Sequence, residues 1–215
     1  MDSKNEQGGF PTSAGILLGL GLGGFFDGIV LHQLLQWHHM MTSAGFPADS
    51  VRNLEINTLF DGIFHASTYL FVLAGLVVLW RHASRGHVQW STRLLVGSVL
   101  MGFGLFNLVE GVTNHHALGL HHVNETVPRE QWIYWDLGFL AWGALMLVGG
   151  WLLKRSGRRR TAGVATREAA RGRQREPAVA AAPGPEKMAM TERRRDWEPR
   201  EGGRRRYDPQ PPQPV

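Results

Sequence analysis

The sequence predicts an all-α membrane protein: a four-transmembrane-helix bundle built from two repeated helical hairpins, followed by a disordered C-terminal tail. Three observations carry this expectation. Four Leu-, Gly- and Val-rich stretches succeed one another, each near the roughly 20 residues that cross about 30 Å of hydrocarbon. Trp and Tyr stand near several of their ends (Trp37, Trp80, Trp90, Trp132, Tyr134, Trp135, Trp151), where amphipathic rings favour the membrane–water interface. The charge is also divided: residues 1–153 hold six Lys and Arg against ten Asp and Glu, whereas residues 154–215 hold 17 against eight. The isoelectric point of about 10.2 and the mean hydropathy of −0.17 therefore average an apolar body and a basic tail.

A short cytoplasmic N-terminus, residues 1–12, precedes spans expected at about 13–40, 57–80, 92–113 and 132–153. Lys4 stands ahead of the first apolar run, as in a signal peptide. That run is longer than a typical signal core, and His32, Gln36, His38 and His39 follow it where a small-residue cleavage site would stand, so an uncleaved anchor is expected. Orientation follows from the basic residues. Arg81, Arg85 and Arg93 flank the middle loop, and Lys154, Arg155, Arg158, Arg159 and Arg160 follow the last span. The other two loops carry one arginine each, Arg52 and Arg129, beside acids. Both termini and the middle loop are thus expected in the cytoplasm of a multi-pass protein of the cell (inner or plasma) membrane.

The second hairpin resembles the first. Gly24-Phe25-Phe26-Asp27 pairs with Gly104-Leu105-Phe106-Asn107, His38-His39 with His115-His116, and Leu59-Phe60-Asp61 with Tyr134-Trp135-Asp136. Hairpins duplicated with equal topology are related by a pseudo-two-fold axis along the membrane normal, which aims equivalent side chains at one central site.

The ionisable residues then fall together. Asp27, His32, His38 and His39 lie toward the outer end of span one, Asp61 and His65 at the start of span two. Glu110, His115 and His116 end span three, His121 and His122 occupy the outer loop, and Asp136 opens span four. Eight of the ten histidines are outer-side; His82 and His87 are not. An ionised Asp at the centre of a membrane helix costs roughly 2.5–3.5 kcal/mol on insertion scales. Apart from Arg93 at the cytoplasmic start of span three, no Lys or Arg lies inside an expected span, so the counter-charge is imidazolium, a metal ion or a proton. A lone intramembrane Asp beside a glycine serves equally well as an interhelical hydrogen bond. Carboxylates and imidazoles gathered at one depth from four helices are how bundles build metal sites.

The absence of cysteine excludes disulfides and thiolate-ligated zinc or iron–sulfur centres. The remaining ligands suit iron, zinc, manganese or copper, with Met40 and Met41 as soft neighbours suited to copper(I). Haem is a weaker fit. Asp61 and His65, four apart, share a face, as do Asn107, Glu110 and Asn114, and likewise His32, Gln36 and His39. On an α-helix Asp27 lies well over a quarter turn from His32 and nearly in line with His38, so span one either addresses two neighbours or unwinds at its outer end. The Glu-x-x-His pair of soluble di-iron bundles is missing, since Thr113 stands three residues after Glu110. Two other functions use the same residues: a proton- or ion-handling transporter, and a non-catalytic assembly subunit bound to a membrane-protein partner or to a second copy. The residues name no reaction.

The segments running from Gly24 to Met40, from Leu59 to His65 and from Asn107 to Val123 resemble an uncharacterised bacterial family of predicted four-helix membrane proteins with a domain of unknown function. The resemblance covers about residues 13–155 and implies a membrane location and four spans. From Lys154 the chain is rich in Arg, Ala, Pro and Glu and is expected to be disordered. Its arginine clusters (158–160, 193–195, 204–206) favour anionic lipid headgroups, and interleaved acids argue against nucleic acid.

Overall fold

Local chemistry marks where the helices begin. Ser50 and Ser91 have extended backbone and accept hydrogen bonds from the amides of Asn53 and Leu94, capping the helices that follow. The computed structural model describes residues 8–85 and 88–180. Its helices are α1 (Thr12–Phe26), α2 (Val51–Ala83), α3 (Thr92–Glu110) and α4 (Trp132–Ala180). The backbone widens into a π-helix at two places, π1 (Asp27–Leu34) after α1 and π2 (Gly111–Ala117) after α3. A two-residue parallel pairing of Gly8–Gly9 with Val88–Gln89 ties the segments preceding α1 and α3. The chain divides into two units, Met1–Val164, which holds the helical bundle, and Ala165–Val215, described only for its helical stretch to Ala180.

Among the described residues, four helices are long and apolar enough to cross a membrane: Thr12–Leu34, Val51–Ala83, Thr92–Ala117 and Arg129–Arg171. The first span stops six residues before its expected end. Gln36 takes φ +51°, and the Trp37 amide bonds back to the Leu31 carbonyl, so the chain turns and residues 36–50 fold over the end of the bundle. The tail expected to be disordered from Lys154 is helical to Ala180, because Ala, Arg, Glu and Gln are strong helix formers that extend a helix already nucleated by the span. The remainder of that tail with its two distal arginine clusters, and also Lys4 and His87, lie outside the described residues.

Small residues let the helices approach closely, as packing in lipid requires. Gly19 of α1 and Gly102 of α3 face each other so nearly that a Cβ on either would stand 2.9 Å from the other's Cα. Gly97 of α3 and Gly150 of α4 oppose each other's backbone in the same way. The interior is polar and the exterior apolar, the reverse of a water-soluble bundle. The largest fully buried side chains are His32, His38, His115 and His121, followed by Asn57 and Asn107. Leu22, Leu59, Leu70, Trp80, Trp142 and Leu145 are among the many exposed apolar residues. Lipid, not water, is the solvent for which such a surface is stable.

Candidate metal centre

The buried polar side chains converge at one end of the bundle. This is where π1 and π2 finish and where α2 and α4 start, beneath the loops 35–50 and 118–128. The π-helices explain how residues five apart meet. In an α-helix Asp27 and His32 point in directions well over a quarter turn apart. Hydrogen bonding from residue i to i+5 widens the turn and brings them onto one face, with His32 Nε2 at 3.1 Å from Asp27 Oδ2. Glu110 and His115 repeat the arrangement across the start of π2, with Nε2 at 3.2 Å from Oε1.

Three of the four imidazoles of the inner set are held through Nδ1, and the Nδ1 of the fourth, His115, has no hydrogen-bond partner. His32 donates Nδ1–H to Asp61 Oδ1 (2.9 Å), His38 to the Val123 carbonyl (2.9 Å) and His121 to the Met40 carbonyl (3.1 Å). The His115 Nδ1 faces Asp136 Oδ1 at 3.6 Å. A neutral ring that donates through Nδ1 carries its lone pair on Nε2, and the Nε2 atoms of His32, His38 and His115 are buried without a hydrogen-bond partner. Asp27 Oδ1 and Oδ2 and Glu110 Oε2 are likewise unpartnered. The short His32–Asp27 and His115–Glu110 approaches lack hydrogen-bond alignment, so in each pair donor-capable atoms face a common space more than one another. Only His121 Nε2 finds a partner, Glu110 Oε1 at 3.0 Å.

The rings are packed tightly. His38 and His121 stack with centroids 4.5 Å apart and planes within 5°. His32 lies 4.3 Å from His38, and His115 lies 5.0 Å from His121, both edge-on. Burial, and then the neighbouring His121, His32 and His115 rings, hold the His38 imidazole well below its ordinary pKa, so it is neutral. Among the described residues, two overlapping sets of side chains could hold a metal ion: His32, His38 and His121, and Glu110, His115 and His121, with one ligand atom from each residue of a set within 4.8 Å of the others.

Asp61 and Asp136 sit behind this inner set. Asp61 accepts from His32 Nδ1, from His39 Nδ1 (2.8 Å) and from the Met40 amide (2.9 Å). Asp136 accepts from His122 Nδ1 (2.6 Å) and from the Val123 amide (3.0 Å). Each carboxylate thus fixes histidines and pins a loop over the site. His39 and His122 stand at the rim, partly exposed. A cavity of about 800 Å³ opens beside them, lined by His38, His39, Thr42, Ser43, Glu125 and Trp132 among others.

The structure brings together ten of the twelve residues expected at the site. Asp27, His32, His38, Glu110, His115 and His121 form the inner set, and Asp61, Asp136, His39 and His122 surround it. His116 is exposed on the far side of π2 and does not join. His65 lies against Gly28 and Phe25, its Nε2 buried and unpartnered. Asp61 and His65 share a helix, yet only Asp61 meets the cluster. Gln36, placed on the His32 face by α-helical spacing, is exposed at the turn instead. Met40 takes part through its backbone amide and carbonyl. Asn107 is fully buried, with both amide atoms unpartnered. Asn114 donates to Glu110 Oε1 at 3.3 Å.

Equivalent contacts recur in the two halves of the bundle, in a register different from the one read off the spans. Asp27 matches Glu110, not Asn107, and His38-His39 match His121-His122, not His115-His116. Asp61 and Asp136 do correspond. Apolar context aligns the spans, whereas the contacts recur through the loops that follow them. Both loops leave their helix through a residue of positive φ, Gln36 (+51°) and Gly119 (+57°).

A lipid-facing bundle of four helices around a buried histidine–carboxylate cluster defines an integral membrane protein with a polar centre at one end. The chain belongs to the family described as predicted membrane protein (DUF2243), whose model matches residues 14–157. No curated protein and no solved structure matches it.

Proposed function

We propose that this protein is an integral membrane metal-binding protein whose transition-metal centre is built from Asp27, His32, His38, Glu110, His115 and His121. One observation carries the reading. Three imidazoles, His32, His38 and His121, are held through Nδ1, the Nε2 atoms of His32, His38 and His115 are buried without a hydrogen-bond partner, and two buried carboxylates stand beside them. An unpartnered buried polar atom costs roughly 1–3 kcal/mol. Such a concentration of them is what a ligand set looks like without its ion, and outer carboxylates that orient ligating histidines are the usual supporting shell. Imidazole and carboxylate donors suit iron, zinc, manganese or copper(II).

The chemistry such a site supports is binding or redox cycling of an ion reached from the aqueous side, through the polar cavity beside His38 and His39. The basic residues around the middle loop and after the fourth span favour placing that cavity on the extracytoplasmic face of the plasma membrane. The exposed Arg158, Arg159 and Arg160 then meet anionic headgroups on the opposite face. A relay across the whole bundle has less support. Among the described residues, Thr68 and Ser98 in the other half are buried but bonded to carbonyls of their own helices.

The test is metal analysis of protein purified in detergent. The reading expects at least one equivalent of a transition metal, or of added Zn²⁺, retained through gel filtration and lost in the double variant His38→Ala/His121→Ala. Substoichiometric metal that the double variant leaves unchanged overturns it.

A further inference from the structure

The inner set has an internal arithmetic that a single ion does not use up. Asp27, His32, His38 and His39 follow the spacing carboxylate-x4-His-x5-His-His, and Glu110, His115, His121 and His122 repeat it, each residue 83 positions after its counterpart. The surroundings repeat too. The first carboxylate of each set opens onto a π-helix, the first histidine faces an aspartate at the start of the next span, and the fourth residue donates to that same aspartate. His38 bonds the carbonyl of Val123, just after the second motif, while His121 bonds the carbonyl of Met40, just after the first. The two halves therefore exchange contacts reciprocally, as elements related by a two-fold axis do.

We propose that the centre binds two transition-metal ions, one per half: the first on Asp27, His32 and His38, the second on Glu110, His115 and His121. The inference rests on the metal-binding reading above. Ligand supply supports it. Four Nε2 atoms and four carboxylate oxygens surround the space, more than the four to six positions a first-row ion ordinarily fills. One ion would leave buried donors stranded. Charge supports it as well: the four buried carboxylates Asp27, Asp61, Glu110 and Asp136 carry a formal −4 that two divalent cations match. His121 Nδ1 is committed to Met40, so only its Nε2 can ligate, and that atom already sits beside Glu110. This leaves His38, whose Nε2 is unpartnered, to the other ion. The two positions are not identical, because the longer Glu110 reaches both His115 and His121 while Asp27 reaches His32.

The experiment loads the full-length protein in detergent, after chelator treatment, with Cu²⁺ alone. Copper per chain is then measured by mass spectrometry, and the paramagnetic resonance spectrum is recorded. Two coppers per chain are expected, with a half-field transition from a coupled pair. His32→Ala and His115→Ala are each expected to retain one copper and lose the half-field line. One copper per chain with an isolated-ion spectrum, absent from both variants, overturns the two-ion centre and leaves the metal-binding reading standing. No copper retained beyond the level of the His38→Ala/His121→Ala variant overturns both. If a single variant fails to fold, the wild-type ratio and spectrum decide.

Discussion

Replacing Asp61 by Asn isolates what the outer carboxylates do, because the change keeps the size and removes the charge. In the native protein Oδ1 accepts from His32 Nδ1 and the Met40 amide, and Oδ2 accepts from His39 Nδ1. Asn offers one acceptor oxygen and an NH2 group. Whichever way the amide turns, at least one histidine Nδ1–H meets a donor. That ring must break its contact or move its proton to Nε2. If the ring is His32, the second course removes the lone pair that faces the centre. Loss of a buried charge-assisted hydrogen bond costs about 1.5–3 kcal/mol. Outer partners of this kind are worth 10- to 100-fold in metal affinity, or about 1.4–2.8 kcal/mol. A Zn²⁺ competition titration against a chelating dye in detergent micelles, with helical content checked by circular dichroism, should therefore show affinity weaker by at least tenfold in a folded variant. A folded Asp61→Asn protein binding within twofold of wild type would refute the assignment of Asp61 as the group that orients His32.

Other consequences are simpler to read. His116→Ala, on the exposed face of π2 and one residue from the site, should leave metal stoichiometry unchanged. Gly102→Leu forces a side chain into the Gly19 backbone, where neither helix can yield cheaply, and should destabilise by about 2–3 kcal/mol or more, seen as a lower melting temperature in detergent. At the two turns, Gly119→Ala places a Cβ at φ +57° and should cost about 1 kcal/mol, whereas Gln36→Gly relieves the equivalent strain and should be tolerated, both by the same thermal assay. Because the chain has no cysteine, single labels report topology cleanly. Ala48→Cys, in the loop over the centre, should react with an impermeant maleimide in intact cells, and Ser84→Cys, beside the middle loop, only after lysis.

The four spans were legible in the sequence because crossing hydrocarbon is a one-dimensional requirement: a length, a hydropathy and aromatic or charged punctuation at the ends. The end of the bundle where chemistry gathers was legible for the same reason. Asp27, Asp61, Glu110 and Asp136 declare themselves as costly residues in apolar stretches, whatever they touch. What α-helical periodicity misjudged was which of them meet. It separated Asp27 from His32 and joined Gln36 to His32, since it assumes 3.6 residues per turn where the backbone forms π1. Aligning the spans by their apolar context pairs His115 with His38, although the contacts of His38 recur in His121 beyond the turn at Gly119. Polar composition predicts disorder from Lys154 onward, where helix propensity carries α4 to Ala180.

Composition and order along the chain by themselves determined that this protein lives in a membrane, with its acids and histidines at one end. Only the tertiary structure decided that His32, His38, His115 and His121 present Nε2 to one space while Asp61 and Asp136 stand behind them. The reason is physical. Insertion depends on the free energy of each segment in lipid, which adds residue by residue. A ligand set depends on ring orientation, and that is fixed by hydrogen bonds between residues as distant as His38 and Val123, which no local pattern contains.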